Sequence, residues 1–133
     1  MDLNVSFGIT RRLAGIGLDS ARARITKALE LEGFGVLTEI DVKATLKKKL
    51  DVDVPPYVIL GACNPKLAHE ALTKEPAIGL LLPCNIVVAE DAGDTLISAA
   101  SPRAMFAILE NPSALETLAA DAETRLRRAI ESA

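Results

Sequence analysis

Three observations predict an α+β protein. Strand-like and helix-like patterns alternate along 133 residues without settling into a strand-helix-strand repeat. A tight turn at Asp91-Ala92-Gly93-Asp94 joins two strand-like runs and so makes at least one neighbouring pair antiparallel. An amphipathic stretch then closes the chain.

Each element has its own signal. From Asn4 to Arg12 the apolar residues Val5, Phe7 and Ile9 alternate with polar or small ones, which predicts a half-buried strand. Asp19 and Ser20 offer capping oxygens to a helix carrying Leu18, Ala21, Ile25, Ala28 and Leu29. Gly33 provides the left-handed stop, with Phe34 placed for the apolar contact that accompanies such a cap. Val36, Thr38 and Ile40 continue the alternation as a second strand. Asp41 caps a short helix with Val42, Leu46 and Leu50, and Lys47-Lys48-Lys49 gather at its end, where the peptide dipoles favour cations. Pro55-Pro56 breaks the chain, and Tyr57-Val58-Ile59-Leu60 begins a third strand.

Asn64-Pro65 starts the next helix, the asparagine capping and the proline occupying the first turn, with Leu67, Ala68, Ala71 and Leu72 as its apolar stripe until Pro76. His69 falls off that stripe. The run Leu80 to Val88 has no alternation, so its strand portion, Cys84 to Glu90, is expected to be buried on both faces and to be the driest part of the chain. Thr95 to Ala99 returns antiparallel after the turn. Ser101-Pro102 opens a short helix with Met105, Phe106 and Leu109 inward, and Asn111-Pro112 repeats the device, with Ser113 and Glu116 spaced as a capping box. Leu115, Leu118, Ala119, Ala122, Leu126, Ala129 and Ile130 share one face of the last helix, opposite Glu123, Arg127 and Arg128. The spacing leaves the order of the middle strands open.

Bulk properties bound the function. The length suits one domain, residues 1–133. Fifteen Lys and Arg against eighteen Asp and Glu leave a net charge of −3, opposite to the footprint of a nucleic-acid binder. No apolar run reaches the roughly 20 residues of a membrane span, and the N-terminus lacks a basic segment followed by an apolar one, so a cytoplasmic protein is expected, with no membrane partner. Neither a phosphate-binding loop, a dinucleotide fingerprint nor a His-Glu-x-x-His motif is present, and no cofactor is expected.

Three blocks, GFGVLTEIDVKATLK from Gly33, YVILGACNPK from Tyr57 and IGLLLPCNIVV from Ile78, resemble the domain-of-unknown-function family 302. The resemblance implies a β-α-β4-α arrangement: a curved, mainly antiparallel sheet of about five strands backed by helices, here with short helices inserted. It also implies a homodimer, and it brings no known activity. A second copy suits the chain on physical grounds too, since an all-round apolar strand in a small domain needs cover.

The residues that stand out are two Cys-Asn pairs. Cys63-Asn64 ends the third strand and Cys84-Asn85 begins the fourth, so if those two strands pair antiparallel the two pairs lie at the same end of the sheet. Cys63 precedes a helix N-terminus, a position that lowers a thiol pKa, and a redox or nucleophilic Cys63/Cys84 pair is one reading. The plainer one makes the cysteines small core residues and the asparagines caps. A metal site would need His69 beside both cysteines, still one ligand short of a structural zinc set, so no metal is expected. Glu39, Asp41 and Lys43 form a second polar group suited to proton transfer and to anchoring an anion, or to capping and solvation alone. The functional reading is a homodimeric domain binding a small molecule or a partner through Cys63, Asn64, Cys84 and Asn85, with Glu39, Asp41 and Lys43 in support. Thiol chemistry and a purely structural assembly module are the alternatives.

Overall fold

The structure is a computed structural model that describes residues 1–133. The strands are β1 (Gly8–Leu13), β2 (Gly35–Asp41), β3 (Tyr57–Cys63), β4 (Cys84–Asp91) and β5 (Asp94–Ala100). The helices are α1 (Leu18–Leu31), α2 (Val42–Leu50), α3 (Pro65–Lys74), α4 (Pro102–Phe106) and α5 (Glu116–Ser132), with single 3-10 segments at Pro76–Leu81 and Pro112–Leu115. The strands form one open antiparallel sheet in the order β1-β5-β4-β3-β2. This is an α+β fold of the β-α-β4-α type with short helices inserted.

β4 takes the centre, where its Ile86 and Val88 join Val58, Leu60, Ile97 and Ala99 beneath α1 and α5 as the main core. A second apolar cluster, with Ala71, Ile78, Phe106, Leu115 and Leu118, lies where α3, α4 and the start of α5 meet. The turn between β4 and β5 has positive φ at both Ala92 and Gly93, 51° and 84°, as a two-residue hairpin loop of matching twist requires. α1 ends as expected: Gly33 has φ 84°, its N–H donates to the Glu30 carbonyl, and the Phe34 N–H donates to the Leu29 carbonyl. Phe34 and Leu29 are both buried, completing the cap.

Several expectations need correction. Residues 4–7 do not join the first strand: the chain enters β1 only at Gly8, and Val5 and Phe7 are exposed. Gly17, not Asp19 or Ser20, is the N-cap of α1, and Asp19 instead pairs with Arg22 at 2.8 Å inside the first turn. The alternation of the second strand is broken by a bulge between Val36 and Thr38, so Val36 faces the core and Ile40 is 49% exposed. The run from Leu80 is not uniformly dry, and its strand portion is not buried on both faces: Leu80 sits in a 3-10 turn and is 89% exposed, Asn85 and Glu90 are exposed, and Cys84 and Val87 are half-buried. Ser113 and Glu116 form no capping box, because a 3-10 turn at Pro112–Leu115 intervenes and α5 begins without a side-chain cap.

Glu123 is the largest departure. It lies among the buried residues of α5, where its carboxylate accepts from the Ser101 hydroxyl at 2.6 Å and from the Arg103 N–H at 3.3 Å, and meets Arg127 at 2.9 Å. A buried charge needs such partners, and no periodicity announces them.

Candidate functional site

The site is built where β3 and β4 end and begin. Pro55-Pro56 leads into β3, whose β-branched and aromatic residues pair with β4 through Tyr57↔Ala89 to Ala62↔Cys84. At Cys63 the strand stops because Asn64 turns the chain: its Oδ1 accepts from the Leu67 N–H at 3.2 Å and Pro65 enters the first turn of α3. The asparagine is 9% exposed, and its amide nitrogen lies 3.1 Å from where a Cβ on Gly33 would stand, so the α1 stop and the α3 start pack on each other.

Cys63, Asn64 and Cys84 border one apolar cavity of about 30 Å³, closed by Phe34, Leu67 and Phe106 among others. It has room for a water-sized body and no organic ligand. Leu82, Cys84 and Phe106 also border a second pocket of about 170 Å³, whose other walls include Leu81, Pro83, Asn85, Ala100 and Met105. Cys84 and its two neighbours thus form a partition with space on either side. The second pocket is lined mostly by apolar residues, but polar atoms form much of its exposed wall, with Asn85 at the rim.

Electrostatics correct the expectation of a thiolate at Cys63. Burial raises its pKa, and the N-cap of α3 is Asn64, not Cys63, which sits in the strand ahead of it. The Cys84 thiol is pushed up to about 11, first by burial and then by the neighbouring Cys63. Both are free thiols and protonated at neutral pH. The register sets Cys84 opposite Ala62 and Cys63 opposite Gly35, so the two are one step away from being a directly opposed pair.

Glu39, Asp41 and Lys43 are not brought to this place. Asp41 pairs with Val58 and Glu39 with Leu60 while Gly35 pairs with Cys63, which sets Asp41 five residues of β3 and Glu39 three residues from Cys63, about 17 Å and about 10 Å at about 3.4 Å per residue. Glu39 forms an ion pair with Arg22 at 2.6 Å, Asp41 caps α2 by accepting from the Ala44 N–H at 2.9 Å, and Lys43 is exposed. His69 is exposed on α3 and borders neither pocket. No three His, Cys, Asp or Glu side chains stand together as a metal-binding group. No helix is long and apolar enough to cross a membrane.

Sequence reasoning assigned Met105 and Phe106 to the core and did not connect them with the Cys-Asn pairs. Nothing local could do so, since α4 reaches the β4 end only through the tertiary fold. Ala100 and Leu82 enter the second pocket for the same reason.

The sequence profile of the domain of unknown function DUF302 matches residues 9–133. No curated protein matches the chain. The crystal structure of an uncharacterized conserved DUF302 protein from Bacillus stearothermophilus is similar to it, with a TM-score of 0.88 and 32% identity, over 96% of this chain and 98% of that one. The three sequence blocks, the antiparallel sheet and the match over nearly the whole chain agree: this protein belongs to the DUF302 family.

Proposed function

We propose that residues 1–133 act as one binding domain, taking a small, mainly apolar molecule at the β4 end, without catalysis. The observation that carries this reading is the pocket of about 170 Å³ beside Cys84. It is close to the roughly 150 Å³ at which a dry apolar cavity accepts a single benzene ring. Asn85 supplies one amide at the rim, so the fitting ligand is a ring or short branched chain with one hydroxyl or carbonyl. Protonated thiols support binding over nucleophilic chemistry, because the thiolate is the reactive form. Two unpaired cysteines suit a reducing compartment, and the reading places the protein in the cytoplasm.

Phenol is the probe, followed by amide shifts in nitrogen-labelled protein. Saturable shifts confined to Cys84, Asn85, Ala100 and Met105 are expected. Ala100→Leu, which fills the pocket, removes them, and Asn85→Leu weakens phenol while sparing benzene. Shifts that never saturate, or that survive Ala100→Leu, overturn the reading.

The same proposal includes a homodimer. Its support is the edge strand β2, which leaves Ile40 49% and Leu37 67% exposed next to the half-buried Ile59. A second copy meets such a patch with the same patch, apolar against apolar, which is what a two-fold interface demands.

A further inference from the structure

We infer that the crevice around Cys84 is also a site for a soft monovalent cation, with Cu(I) as its type. The chain has two cysteines and two methionines. Three of these four sulfur residues collect at the β4 end: Cys63 and Cys84 border the inner cavity, and Cys84 and Met105 border the outer pocket. The sequence separation is 21 residues between each pair along the series 63, 84, 105, so the fold alone gathers them.

The surroundings select the ion. No carboxylate or imidazole borders either space, so Mg²⁺ and Ca²⁺ find no hard ligands and Zn²⁺ finds no four-ligand set. Thiolate and thioether donors favour Cu(I), which accepts low coordination numbers. On binding, the Cys84 sulfur forms the metal bond and its proton leaves to solvent. One thiolate and one Cu⁺ sum to zero charge, which suits apolar walls; the Met105 thioether and the Cys63 thiol add neutral donors from the two sides. A second thiolate would leave a net negative charge in the same dry space, at a desolvation cost. Cys84 is the anchor because it alone among the sulfur residues borders both spaces.

The site lies in the crevice of the proposed function but does not depend on an organic ligand. Reduced protein is titrated without oxygen against the coloured Cu(I) complex of bicinchoninate, and loss of colour reads transfer to the protein. One equivalent is expected to transfer. Cys84→Ala weakens the transfer at least tenfold, Met105→Leu and Cys63→Ala each weaken it less, and bound Cu(I) protects Cys84 from alkylation in the native chain. Met105→Leu keeps the pocket's volume and apolar character, so its effect is read on a folded protein. Failure to remove Cu(I) from the chelator, full affinity in Cys84→Ala, or equal competition by Zn²⁺ overturns the inference. Phenol shifts without Cu(I) transfer sink this inference and leave the proposed function standing; Cu(I) transfer without phenol shifts does the reverse.

Discussion

Gly61 lies buried in β3, and the Thr38 hydroxyl and the Pro83 ring occupy the space where a Cβ on it would stand. A Cβ there would overlap Thr38 Oγ1 and stand 2.8 Å from Pro83 Cγ, so the glycine is needed for close approach and not for its backbone freedom. Pro83 walls the outer pocket, and Asn85 pairs with Gly61 across the strands, so this one missing side chain lets the pocket rim settle on the sheet. Gly61→Ala is expected to cost about 1–3 kcal/mol, as overpacking does. The urea midpoint of unfolding measures it, with Gly79→Ala, which meets nothing within 4 Å, as the unchanged control. The glycine stood inside a quoted sequence block, yet its reason was invisible there, because Thr38 and Pro83 reach it from two other segments.

Helix ends show how elements were read and misread. Asp41 and Asn64 cap α2 and α3 as their sequence positions predict, since a cap bond spans only three residues. α5 breaks this locality at two points. Its C-terminus is capped from β1: the Arg11 guanidinium donates to the carbonyls of Ile130, Glu131 and Ala133 at 2.6 to 3.2 Å. Near its middle, Glu123 holds the start of α4 through Ser101, whose hydroxyl both donates to the carboxylate and accepts from the Ala104 N–H at 3.2 Å. α4 carries Met105 and Phe106 into the site, so this staple sets the partition beside Cys84. Ser101→Ala removes a cap and strips a buried carboxylate of its hydroxyl donor, an expected loss of about 1–3 kcal/mol. Ser101→Thr restores most of it; calorimetry of the two variants is the check, and equal stability of Ala and Thr would dismiss the staple.

At the scale of the whole molecule, charges close the far end of the sheet. Arg12 pairs with Asp91 at 2.7 Å and Asp94 at 3.1 Å, and the N-terminal amine lies 3.6 Å from Asp91. The Arg12 hydrogen bond holds the Asp91 carboxyl below its usual range, and the Gly15 N–H, then Arg12, does the same for Asp94. The face turned from α1 and α5 carries the N-terminal residues beside β1, where the Thr10 hydroxyl donates to the Leu3 carbonyl at 2.7 Å. On that same face Leu96 and Ala89 are buried, whereas Ile40 is not. The proposed dimer belongs to this scale. Sedimentation at micromolar concentration is expected to return twice the 14.1 kDa chain mass, and Ile40→Asp to return the single mass. A single mass for the native protein would remove the homodimer.

The amino-acid order by itself determined the fold class, the caps at Asp41 and Asn64, the Gly33 stop, the two-residue hairpin and the buried face of α5, because each rests on contacts within about one helical turn or across one tight turn. It set Cys63 at the end of one strand and Cys84 at the start of the next, and the antiparallel pairing of β3 with β4 in the fold then brought them to one end of the sheet. Tertiary structure decided the rest. It bulged β2 at Leu37, buried Glu123 against Ser101, set Asp41 about 17 Å and Glu39 about 10 Å along the sheet from Cys63 at about 3.4 Å per strand residue, and brought Met105 to Cys84. It also reversed the expected thiol shift: a helix dipole acts over a turn, but desolvation depends on everything packed around the sulfur, and that is set by segments far away in the chain.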